Sequence, residues 1–65
     1  MTYESRKKLL LAGYKLYRAR LDDKSIWICD TTPGSWRLYD RYPSKAATQR
    51  AFDTLLKDDP NAIDD

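Results

Sequence analysis

From Trp36 to Tyr42 the chain reads Trp-Arg-Leu-Tyr-Asp-Arg-Tyr, with Trp36, Leu38 and Tyr42 at one parity and Arg37, Tyr39 and Arg41 at the other. A period of two is the mark of a half-buried strand, here over about 36–42. Two earlier runs behave alike. Residues 14–21 place Tyr14 and Leu16 at one parity and Lys15, Tyr17 and Ala19 at the other, and residues 25–31 contain the unbroken apolar run Ile26-Trp27-Ile28-Cys29. The β-branched and aromatic content of that second run predicts the central strand. Asp22-Asp23-Lys24 supplies the first turn, and Thr32-Pro33-Gly34-Ser35 supplies the second, with Pro fixing one dihedral and Gly giving a positive one.

Helices are expected on either side of these strands. Thr2 is placed to cap a helix over about 3–12, Glu4 falls in its first turn where the dipole favours an anion, and Gly13 supplies the left-handed stop. Tyr3, Leu10 and Leu11 are its apolar positions, while Arg6, Lys7 and Lys8 form a solvated face. After Pro43, Ser44 caps a second helix over about 44–57, whose stripe is Ala47, Ala51, Phe52, Leu55 and Leu56. Asp58-Asp59-Pro60 stops it, and residues 58–65 form an acidic tail with Ile63 tucked against the core. The prediction is a single α+β domain over 1–65 in the order α-β-β-β-α, a three-stranded antiparallel meander packed on the C-terminal helix. If parities agree across the strands, Tyr14, Leu16, Ile26, Ile28, Trp36 and Leu38 make the core, and Lys15, Tyr17, Ala19, Trp27, Cys29, Arg37, Tyr39 and Arg41 line an open sheet face.

Composition narrows the function classes. With 65 residues, the chain is near the lower size at which a core forms without disulfides or metal. Cys29 is the one cysteine and there is no histidine, so neither an intrachain disulfide nor a usual zinc site is expected, and the commonest general base is missing. The isolated Gly13 and Gly34 make no phosphate loop. Paired carboxylates occur only at turns or in the tail, where nothing apolar raises their pKa. The expectation is a non-enzymatic protein with no cofactor, metal site or membrane span, at home in a reducing cytoplasm, since Lys15 and Arg18 interrupt any signal-like run. The net charge is only +2, but it is uneven: residues 1–20 hold six basic side chains against Glu4, and the tail is acidic.

What remains is binding. The expected open face carries Lys15, Tyr17, Trp27, Arg37, Tyr39 and Arg41, with Arg18, Lys45 and Arg50 as secondary contacts. Aromatic rings stack on bases and cations neutralise phosphates, which points to nucleic acid on the sheet. Trp, Tyr and Arg are equally the residues of protein interfaces, as a homodimer contact or as a small inhibitor or adaptor docking on a larger protein. A third reading lets the N-terminal helix cross and bury this face, leaving no site.

A three-stranded meander followed by a helix opening Ser44-Lys45-Ala46-Ala47 resembles the AP2-like, arm-type DNA-binding domains of phage and transposon tyrosine recombinases. That likeness covers 14–57 and implies a sheet in a duplex groove, with Trp27, Arg37, Tyr39 and Arg41 facing it. The order α-β-β-β-α is also similar to double-stranded-RNA-binding domains, in which the start of the last helix grips phosphates; Lys45 and Arg50 answer to that role, whereas the loop histidine and lysine cluster of that family are missing. Phage and mobile-element products of this size that inhibit a host protein are a looser likeness.

Overall fold

Thr2 begins the described part of the chain, residues 2–65 of a computed structural model. Its hydroxyl accepts a hydrogen bond from the Ser5 amide at 3.2 Å and so satisfies one of the orphan donors of helix α1, Tyr3–Leu11. Gly13, at φ 93°, ends the helix in the left-handed region that only glycine enters at no steric cost. The strands are β1 (Lys15–Arg20), β2 (Ser25–Cys29) and β3 (Arg37–Arg41). Ser44 accepts from the Ala47 amide at 3.1 Å and opens α2, Lys45–Asp58. The expected α-β-β-β-α order is present. A short fourth strand, β4 (Ala62–Asp64), follows it, so the acidic tail is part of the sheet.

The sheet order is β3-β2-β1-β4, with β1, β2 and β3 antiparallel and β4 parallel to β1. The Lys15 amide donates to the Asn61 carbonyl at 2.8 Å and the Asp65 amide to the Tyr17 carbonyl at 3.0 Å, which ties both ends of β4 to β1. β3 is the opposite edge. Charged side chains and a bulge guard its unpaired backbone, as edges of natural sheets require.

The register overturns the expected agreement of parity. Arg20 pairs with Ser25, Ala19 with Ile26 and Tyr17 with Ile28, so odd residues of β1 share a face with even residues of β2. The cause is the turn. It spans four residues, Leu21 to Lys24, closed by a 3.2 Å bond from the Lys24 amide to the Leu21 carbonyl, with Lys24 at φ 52°. One residue more than the Asp22-Asp23-Lys24 turn turns every β1 side chain to the other side. β3 is inverted as well: Trp27 pairs with Leu38 and Ile28 with Arg37, after which Tyr39 is the extra residue of the bulge and Asp40 faces Ile26.

The core on the α2 face is Tyr17, Ile26, Ile28, Phe52 and Ala62, flanked by Ala19, Tyr42, Ala51, Leu55 and Leu56. α2 packs over β4, β1 and β2. Thr48, fully buried, donates its hydroxyl to the Ser44 carbonyl at 2.8 Å, which removes the cost of an unpaired polar group under the helix. Leu16 and Cys29 are fully buried on the other face, at the end where α1 meets β1. The helices therefore divide between the two faces and do not share one. α1 is a loose cover, with Leu9 and Leu10 half-buried and Tyr3 and Leu11 exposed.

Asp65 fastens α1. Its side chain is 2% exposed and takes both Arg6, through Nε at 2.9 Å, and Arg18, through a terminal nitrogen at 2.6 Å. Burial alone would raise its pKa, but the hydrogen bonds from Arg6 and Arg18 outweigh that and hold the carboxyl below its usual value. A folded value below the unfolded one contributes stability that is complete above about 3.9 and lost as pH falls through the folded value. Asp65→Asn should cost about 1–2 kcal/mol in urea unfolding at pH 7, because both arginines remain partly solvated. The gap from wild type should close on acidification; a gap unchanged down to about pH 2 would contradict this role for the charge.

Candidate functional site

The face opposite α2, beyond the part α1 covers, gathers a set of large side chains from three strands. β1 contributes Arg18 and Arg20, β2 contributes Trp27, and β3 with the residue before it contributes Trp36, Leu38 and Arg41. Alternation explains the grouping: Arg18 lies opposite Trp27, Trp27 opposite Leu38, and the bulge at Tyr39 brings Arg41 back opposite Ser25 on the same side.

Each ring is held in place. The Trp27 indole N–H donates to the Ser25 hydroxyl at 3.0 Å, and Ser25 is itself fully buried, so the indole lies against the sheet with its edge anchored. The Arg18 guanidinium stands 4.5 Å from the Trp36 ring centroid, within cation–π range, while Asp65 orients it from the other side. Arg18, Arg20, Trp27 and Trp36 together line a shallow depression of about 240 Å³. Arg20 meets Asp23 only at 3.4 Å, with both side chains more than half exposed, a contact of little strength in water. Arg41 has no ion-pair partner among the described residues. The surface thus combines two half-buried indoles, one of them carrying a stacked guanidinium, with two free or weakly held guanidinium groups.

The structure separates the residues expected on one open face. Trp27, Arg41 and the secondary Arg18 stand together here. Tyr17 is 3% exposed and belongs to the core beneath α2, where its ring meets Tyr39 edge to face at 5.4 Å between centroids. Arg37 shares that side and makes a two-point pair with Asp30 at 2.5 and 2.9 Å; these bonds to Arg37 hold the Asp30 carboxyl below its usual pKa. Lys15 also lies there, 3.6 Å from Asp59. Lys45 pairs with Asp22 at 3.2 Å in full solvent, and Arg50 lies along α2. Lys15 and Tyr17 are thus corrected from the open face to the α2 face by the length of the first turn, and Arg37 and Tyr39 by the pairing of Ile28 with Arg37 across the second connection.

Arg20, Trp36 and Leu38 were not expected in the site, Trp36 and Leu38 having been assigned to the core. Their signal was the spacing in the first hairpin: with four residues between Arg20 and Ser25, β1 and β2 pair odd with even, and Trp36 follows Trp27 across the next connection.

A second concavity, of about 490 Å³, lies on the α2 face between that helix and the edge strand, lined by Tyr39, Tyr42, Arg50, Thr54, Leu55 and Asp58 among others. Burial raises the pKa of the Tyr42 phenol at its rim. Among the described residues no cluster of three or more His, Cys, Asp or Glu is placed to hold a metal ion, and no helix is long and apolar enough to cross a membrane. Compared with protein-family models, with curated proteins and with solved structures, the chain matches none.

Proposed function

We propose that this protein is a non-enzymatic binding module that takes nucleic acid on the sheet face formed by Arg18, Arg20, Trp27, Trp36 and Arg41. The observation that carries the reading is the interleaving of two anchored indoles with three guanidinium groups on one face of the sheet. Stacking on an indole accepts any base, and cations at its border meet the phosphates that a stacked strand brings with it. A shallow surface with α1 across one end suits a single strand or an unpaired loop better than a duplex groove, because splayed bases reach flat rings that paired bases cannot.

The expected affinity is modest. Arg20 and Arg41, the two guanidinium groups not committed to a buried carboxylate, neutralise about two phosphates, so log affinity for a single strand should fall with log salt at a slope of roughly −1.4. Titration of labelled single-stranded DNA, single-stranded RNA and duplex DNA at low salt tests this. The pair Arg20→Ala and Arg41→Ala should flatten the slope by about 1.4, whereas Arg37→Ala, on the other face and paired with Asp30, should leave it unchanged. Loss of slope with Arg37→Ala instead would place the contact on the α2 face. No binding to any of the three at about 100 μM, above the usual non-specific range, would hand the tryptophan face to a protein partner.

A further inference from the structure

The groove beside α2 leaves part of the sheet uncovered. The sheet is four strands wide, about 14 Å between its outer strand axes, and a helix about 10 Å across cannot cover it. α2 sits over β4, β1 and β2, and β3 is exposed along its whole length. The uncovered strip carries Tyr39, 47% exposed, and the half-buried Tyr42. The wall that α2 presents to the strip is built on Arg50, Thr54 and Asp58, four residues apart, with Ala51 and Leu55 beneath them. Among the described residues neither Arg50 nor Asp58 has an ion-pair partner. Asp58 moreover stands in the last turn of α2, where the helix dipole disfavours an anion.

We infer that α2 of a second copy lies antiparallel in this groove, related to the first by a two-fold axis near Thr54, so that Arg50 of each copy meets Asp58 of the other. The charges are complementary under that one operation, because Arg50 and Asp58 are equally distant from Thr54, about 6 Å along the axis on either side. The short side chains of Ala51 and Thr54 allow the helices to approach to about 8–10 Å, and each α2 then covers the Tyr39 and Tyr42 strip of the other sheet. Both tryptophan faces remain outside, so this interface is independent of the nucleic-acid reading.

Sedimentation velocity or light scattering over about 10 to 500 μM tests the interface, a range that spans association of micromolar strength. Wild type should rise from 7.6 kDa towards twice that mass. Arg50→Asp alone, and Asp58→Arg alone, should each weaken association at least about tenfold, because each sets like charges opposite one another twice. The double variant, with the pair reversed, should recover wild-type association to within about threefold. Trp27→Ala should dimerise as wild type does. A wild type that stays monomeric throughout, single variants that associate normally, a double variant that fails to recover while its circular dichroism is native, or loss of the dimer in Trp27→Ala would each overturn the proposal.

Discussion

Phe52→Ala is expected to destabilise the fold by about 3–5 kcal/mol, a large share of what a domain of this size possesses. Phe52 is 5% exposed and is the one aromatic that α2 sends into the core, against Tyr17, Ile26, Ile28 and Ala62. Those four come from three strands, so truncation leaves a cavity touching β1, β2 and β4 at once. Little can collapse into it: Ala19, Ala51 and Ala62 are already small, and the backbone of Ala19 and Ala62 is held in the sheet. Urea unfolding followed by circular dichroism should show a midpoint shifted to low denaturant or no cooperative transition at all. A loss below about 1 kcal/mol would mean that α2 is not seated on this face.

The second large effect distinguishes the two sides of the sheet. Tyr17→Ala should cost about 3–5 kcal/mol, since the ring is 3% exposed and packs in the core and on Tyr39. Trp36→Ala should cost only about 1 kcal/mol, because Trp36 is half-buried on the opposite face and loses chiefly its contact with Arg18. Were the strands paired with matching parities, the order of these two effects would be reversed. The pair of unfolding curves therefore reads the register directly.

That register is the part of the fold the sequence left hidden. The elements themselves were legible, because each has a local chemical cause: Thr2 and Ser44 as caps, Gly13 and Pro43 as stops, and Ile26-Trp27-Ile28-Cys29 as a buried strand with Ile26 and Ile28 towards the second helix. Face assignment in the neighbouring strands depends instead on how many residues a turn consumes. Leu21 looks like the last residue of a strand, yet it belongs to the turn, and Lys24 takes a left-handed conformation that its side chain does nothing to advertise. The bulge at Tyr39 is equally silent, and it is the reason that Arg41 and Trp27 share a side even though Arg37 and Trp27 do not. β4 was missed because three residues, Ala62-Ile63-Asp64, pair in parallel with a strand far away in sequence and carry no alternation long enough to detect.

The candidate surface shows the same division. That aromatic and arginine side chains would share an exposed sheet face followed from their abundance among strand residues, and such a face exists. Which of them share it follows from the register, so Trp27, Arg18 and Arg41 stand there with Arg20 and Trp36, while Lys15, Tyr17, Arg37 and Tyr39 lie on the α2 face.

Both tryptophans of the chain stand on the tryptophan face, so intrinsic indole fluorescence reports on that surface alone. Titrating the protein with an unlabelled single-stranded oligonucleotide at low salt should quench this emission saturably, with Trp27→Phe and Trp36→Phe each retaining part of the change and added salt reversing it. Binding detected by a labelled strand with no change in indole emission would contradict the central claim, because the strand would then lie elsewhere on the molecule.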